Sequence, residues 1–183
     1  QRPFARRPRR GRPGRRHPGS RMNAPTWRMA WVGLGANLGD PATTLREALA
    51  ALAAHPQVRQ DALSRFYRTG PIDSSGPDYV NAVVRLRTTL SPLALLDLLQ
   101  DIEQRHGRQR PYHNAPRTLD LDLLAYDGQH LDTPRLTLPH PRMHQRAFVL
   151  RPLSDIDPDM RLPQGRVDEL LWACADQAVV PLD

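Results

Sequence analysis

The sequence contains no lysine: all 26 of its basic residues are arginines. With abundant Ala and Pro, that composition suggests a GC-rich genome rather than a particular chemistry. There is one cysteine, Cys174, so no disulfide can close within the chain. That points to a reducing compartment, the cytoplasm. No apolar run reaches the roughly eighteen residues that a membrane-spanning helix needs. No internal repeat is visible. What remains is 183 residues, 39% of them hydrophobic, enough for one domain with its own core.

A net charge of +7 invites a nucleic-acid reading until its placement is considered. The first 28 residues hold ten arginines and no acid. The rest of the chain sets 16 arginines against 19 acids, so the globular part is mildly acidic and no electrostatic binder of nucleic acid. Residues 1–28 are mostly Arg, Pro and Gly. Such a segment cannot bury enough surface to offset its ordering entropy and is expected to be disordered. It reads as a basic arm, as a solvated tail, or as a stretch upstream of a native start at Met22 or Met29. We prefer the last, with the domain at 29–183. The segment lacks the apolar core of a secretory signal.

From Met29 the pattern becomes regular. Residues 29–35 form a short strand running into a turn. Asp40-Pro41 reads as an N-cap and first helical residue, and Leu45, Ala48, Leu49 and Leu52 share one face of the helix that follows. Residues 58–67 can be a strand, and 70–78 form a loop. Residues 80–88 alternate as a strand does. Ser91-Pro92 opens a second helix with Leu95, Leu99 and Ile102 as its buried stripe and Gly107 at its end. Residues 108–117 form a polar loop and 119–126 a strand. The order strand, helix, strand, strand, helix, strand predicts an α+β fold with a ferredoxin-like βαββαβ core. Its sheet is mainly antiparallel, with helices on one face. C-terminal additions follow: a return near Gly128 and short helices near Gln145 and Val167.

The strongest chemical signal is the run from Arg117 to Leu124. Residues two apart on a strand share a face, so Asp120 and Asp122 project together while Leu119, Leu121 and Leu123 face the core. Two adjacent carboxylates suit magnesium, whose remaining ligands come from phosphate and water. An isolated Asp-x-Asp is more often a solvated strand face. Here Arg108, Arg110 and Arg117 precede it, and His140 and Arg146 follow. Cations gathered around two acids point to a site that neutralises polyphosphate. No nucleophile stands out, which suits a transfer that needs alignment and charge neutralisation.

The run His113-Asn114-Ala115-Pro116-Arg117-Thr118-Leu119-Asp120-Leu121-Asp122-Leu123-Leu124 resembles the signature of 6-hydroxymethyl-7,8-dihydropterin pyrophosphokinases. Six further stretches resemble that family in its order: Gly33 to Asp40, Phe66 to Thr69, Pro77 to Ala82, Ile102 to Arg108, Leu138 to His140 and Arg146 to Phe148. The resemblance runs from Met29 to the C-terminus. It departs at Asn114, where the family often has Trp, and at Ala36, Gly70 and Pro141, where Ser, Pro and Tyr are common.

The resemblance implies a diphosphotransferase of folate synthesis. It would move diphosphate from ATP to 6-hydroxymethyl-7,8-dihydropterin and release AMP. Asp120 and Asp122 would hold two magnesium ions. Arg108 and Arg117, from a mobile loop, would stabilise charge on the transferring group, with Arg110 assisting. His140 and Arg146 would contact the triphosphate, and Gln100 and Glu103 would lie near the nucleotide. Tyr79 and Phe148 would sandwich the pterin, with Asn81 and the backbone of Thr69, Gly70 and Ile72 reading its edge. A monomer is expected, with no membrane or nucleic-acid partner. Two other readings compete with it, a catalytically inactive pterin or nucleotide binder and a nucleic-acid-binding ferredoxin-like module. The second needs aromatics on the central strands, which residues 80–88 and 119–126 do not supply in that pattern.

Overall fold

The computed structural model describes residues 24–70, 76–107 and 119–182. Strand β1 (Arg28–Ala36) leads into helix α1 (Pro41–Ala53). The Asp40 side chain accepts from Thr43 N at 3.2 Å and Thr43 Oγ1 at 2.8 Å, capping α1 as its sequence predicts. Strands β2 (Val58–Leu63), β3 (Tyr67–Thr69) and β4 (Tyr79–Thr88) precede helix α2 (Pro92–Gly107) and strand β5 (Asp120–Tyr126). Ser91 Oγ accepts from Ala94 N at 3.2 Å and caps α2.

The main sheet runs β5–β1–β4–β3, with β2 also paired to β4 and every pairing antiparallel. That order is the one a split βαβ pair produces, and it bears out the expected core. The apolar stripes of α1 and α2 meet Ala30, Val32 and Leu34 of β1 and Leu121 and Leu123 of β5 in the larger core.

The C-terminal additions begin with a two-stranded return, β6 (Leu131–Asp132) and β7 (Thr137–Leu138). Helix α3 (Ala147–Ile156), the hairpin of β8 (Arg161–Leu162) and β9 (Gly165–Arg166), and helix α4 (Val167–Ala173) come next. A last strand, β10 (Val179–Pro181), pairs with β3 and extends the sheet. Helices α3 and α4 pack on the face opposite α1 and α2, around Val83, Leu124, Leu150 and Leu153. Asp157, at the end of α3, accepts from Trp31 Nε1 at 2.7 Å and from Arg85 NH1 at 2.9 Å, which pins this layer to the sheet. Cys174 is buried beside α4, and burial pushes its thiol pKa up, as befits an inert side chain.

Two expectations are refined. The single strand expected over 58–67 breaks between Leu63 and Tyr67. There Ser64 Oγ accepts from Val83 N at 2.9 Å, and Asp155 of α3 accepts from Arg65 N at 3.1 Å and from the Tyr67 hydroxyl at 2.6 Å. Ordered contacts also start ahead of Met29. Arg28 pairs with Thr88 in the sheet, and the Arg59 guanidinium stacks 3.9 Å from the Trp27 ring. The expected disorder of the tail concerns residues that, up to 23, lie outside the described ones.

Candidate active site

Even-numbered side chains of β1 enter the larger core, so odd-numbered positions face the other side of the sheet. Two of these are Gly33 and Gly35. In register, Gly33 lies between Val83 of β4 and Asp122 of β5, and Gly35 between Asn81 and Asp120. Tyr67 of β3 sits beyond Asn81. Directly opposed residues of antiparallel strands share a face, so Tyr67, Asn81, Gly35 and Asp120 form one cross-strand row. The two glycines leave the middle of the sheet without side chains, and a hollow opens there.

That hollow is a cavity of about 630 Å³, a size suited to a small ligand. Gly33 and Gly35 form its floor, and Asp120 and Asp122 stand along one side. Thr69, Gly70, Tyr79 and Asn81 line the opposite side, while Arg146, Phe148 and Val149 reach in from the start of α3. A Cβ at Gly35 would lie 2.9 Å from Asn81 Nδ2, so glycine is required for the amide to stand where it does. Asn81 Oδ1 accepts from the Thr69 hydroxyl at 2.8 Å. This bond aims the amide nitrogen at Gly35 and the cavity.

Asp120 and Asp122 emerge from alternate positions of one strand, as their spacing predicts. Asp122 is exposed, and Leu121 between them is buried in the core. Their oxygen-only donor set fits magnesium. Among the described residues no cluster of three or more His, Cys, Asp or Glu is arranged to hold a metal by itself. An ion here would therefore need phosphate oxygens and water as well.

His140 stands beside the pair. Its backbone N–H donates to Leu124 O at 2.8 Å, and its Nδ1 accepts from Arg142 N at 3.2 Å. In the neutral ring the proton then sits on Nε2. Burial lowers the His140 pKa below its usual value. Asp122 opposes that shift, and Arg146 and Arg142 add to it. Arg146 also lies with its guanidinium 5.5 Å from the Phe148 ring centre, holding an aromatic face and a cation at one rim.

Eight of the sequence-predicted positions thus meet at one cavity: Thr69, Gly70, Tyr79, Asn81, Asp120, Asp122, Arg146 and Phe148. His140 adjoins it through Asp122. Gln100 and Glu103 do not line it. They lie on α2, across the sheet, and the Gln100 amide oxygen accepts from Arg135 at 3.3 Å. Ile72, Arg108, Arg110 and Arg117 lie outside the described residues. Sequence reasoning missed Asn37, Leu38 and Pro77 as lining residues. Continuing the odd-numbered count of β1 past Gly33 and Gly35 finds Asn37. It missed as well that Thr69 acts through its hydroxyl, since that bond joins residues twelve positions apart on two strands and no local pattern announces it.

Residues 31–158 match the family described as 7,8-dihydro-6-hydroxymethylpterin-pyrophosphokinase. The chain is 47% identical over 151 residues to the Pseudomonas aeruginosa protein named 2-amino-4-hydroxy-6-hydroxymethyldihydropteridine pyrophosphokinase, covering 81% of this chain and 93% of that one. It is 42% identical over 156 residues to the Haemophilus influenzae protein of the same name, covering 84% and 98%. A crystal structure of a Plasmodium falciparum HPPK-DHPS triple mutant superposes with a TM-score of 0.65 at 13% identity. The match spans 82% of this chain and 44% of that longer one, and it carries the fold alone.

Proposed function

The chain belongs to the 7,8-dihydro-6-hydroxymethylpterin-pyrophosphokinase family, and on that premise we propose that it transfers diphosphate from ATP to 6-hydroxymethyl-7,8-dihydropterin, releasing AMP. The observation that carries this reading is one continuous surface. A carboxylate pair and a side-chain amide flank a strip of sheet that two glycines leave bare.

Each part answers a need of the reaction. A flat bicyclic ring fits over Gly33 and Gly35, where any side chain would lift it. Tyr79 and Phe148 present aromatic walls for its faces. Asn81, oriented by Thr69, offers N–H donors to the ring edge, and the backbone near Thr69, Gly70 and Ile72 would complete that edge. The hydroxymethyl arm then lies toward Asp120 and Asp122. In this reading Asp120 and Asp122 would hold two magnesium ions, which when bound would supply neutralisation of the phosphate charge.

The remaining residues act on charge and alignment. His140 presents its Nε2–H and Arg146 its guanidinium to the phosphates, stabilising negative charge as the bond to AMP breaks. Arg108, Arg110 and Arg117 would add cations from the segment ahead of β5, and Gln100 and Glu103 would meet the nucleotide from the α2 side. The hydroxymethyl oxygen becomes the bridging oxygen of the pterin diphosphate, and its proton leaves to solvent or phosphate. No protein nucleophile is needed.

Among the described residues no helix is long and apolar enough to cross a membrane. The reading takes the protein to work as a monomer in the cytoplasm, and the buried thiol of Cys174 accords with a reducing compartment. The deciding experiment follows AMP release from magnesium-ATP with and without 6-hydroxymethyl-7,8-dihydropterin. Pterin-dependent AMP is expected from the parent and none from Asp120→Ala. A folded parent that releases no AMP would refute the reading.

A further inference from the structure

Asn37 follows β1 directly. It continues the odd-numbered row of Gly33 and Gly35 and is the first of the three to carry a side chain to the cavity. Only 9% of it is exposed, and its Oδ1 finds no hydrogen-bond partner among the described residues. A buried amide oxygen left unpaired is costly to the folded protein, and such exceptions are few in a native structure. The amide on the neighbouring strand behaves in the opposite way. Asn81 has its oxygen occupied by Thr69 and its nitrogen turned toward the cavity. One wall therefore offers N–H donors, and the adjoining corner offers a bare acceptor.

We infer that Asn37 is a ligand-reading residue, whose Oδ1 accepts a hydrogen bond from an N–H group on the edge of the bound heterocycle, complementing the donors of Asn81. The inference rests on the pterin reading above. A dihydropterin carries both kinds of group around its rim, amine and ring N–H donors beside ring nitrogen and carbonyl acceptors. A donor on β4 and an acceptor just past the end of β1 select a ring that presents the complementary pair at the matching separation. A ring with acceptors alone would leave Asn37 buried and unpaired, which is the circumstance in which a binding site discriminates most strongly.

The test compares the parent with Asn37→Leu, nearly equal in volume and lacking the acceptor, and with Asn37→Ser, whose hydroxyl falls short. Titration calorimetry measures 6-hydroxymethyl-7,8-dihydropterin binding in the presence of magnesium and α,β-methylene ATP. Thermal melting without ligand is followed alongside. Both variants are expected to bind the nucleotide analogue as the parent does and to lose pterin affinity by about tenfold or more. Asn37→Leu is expected to melt no lower than the parent, since it removes an unpaired buried polar atom. Unchanged pterin affinity in either folded variant would overturn the inference. So would a lowered melting temperature accompanied by equal losses for pterin and nucleotide, which would make Asn37 structural. A parent that binds nucleotide but no pterin would overturn the functional reading, and this inference with it.

Discussion

The Thr69 hydroxyl donates to Asn81 Oδ1 across 2.8 Å, joining two buried side chains on neighbouring strands. The bond decides which end of the Asn81 amide faces the cavity. Replacing Thr69 by Val keeps the shape and removes the donor, leaving a buried oxygen unpaired. We expect Thr69→Val to cost about 1–3 kcal/mol of stability and to raise the pterin KM with little change in that for ATP. Thr69→Ser should restore both, and steady-state kinetics with denaturant melts would check it.

Gly35 is the point where the cavity floor and Asn81 meet. An alanine there would place its Cβ 2.9 Å from Asn81 Nδ2, closer than side chains pack. The amide must move, and the row from Tyr67 to Asp120 is disturbed at its centre. Gly35→Ala is expected to weaken pterin binding severely while the fold persists. Pterin titration beside a circular dichroism melt measures this, and parent-like affinity would show that the floor tolerates a methyl group.

Asp122 is exposed and sits opposite a glycine, so its carboxylate has little part in packing. Asp122→Ala should leave the melting temperature near that of the parent and lower kcat by a factor on the order of 10² to 10³ or more. Substantial turnover in the variant would separate the carboxylate pair from the reaction.

Tyr67 supplies the pH dependence that is easiest to isolate. Burial, and then its hydrogen bond to Asp155, push its pKa from 10.0 up to about 12. As pH rises above 10.0 the unfolded chain releases this proton before the folded protein does. The contribution is therefore fully present below pH 10.0 and is lost as pH climbs toward about 12. Melts of the parent and Tyr67→Phe between those pH values should converge, the parent starting higher and falling more steeply. Parallel curves would show that the phenol is not protected.

The core elements were legible in the chain because their signals are local. Asp40-Pro41 and Ser91-Pro92 cap helices through residues three positions on. The alternation around Asp120 and Asp122 assigns each side chain to a face without knowledge of any partner strand. The break at Ser64 to Phe66 was not legible, because the carboxylate that holds it, Asp155, comes from α3 about ninety residues later. Strand β10 was missed for a related reason. Three residues have no periodicity to read, and they become a strand by adding to an edge.

The site divides along the same line. Sequence by itself determined that two acids share one strand face, because alternation on a strand is local, and it set Arg146 and His140 after them in the chain. The aromatics Tyr79 and Phe148 were singled out by the family resemblance, since by residue type alone they read as core packing. Only the tertiary structure decided which of them meet. Pairing of β4, β1 and β5 sets Asn81, Gly35 and Asp120 side by side, although the chain separates Gly35 from Asp120 by two helices and three strands. The same folding carries Gln100 to the opposite layer and buries Asn37 with an acceptor to spare. Strand register and layer packing are long-range choices made by burial, and no window of local sequence contains them.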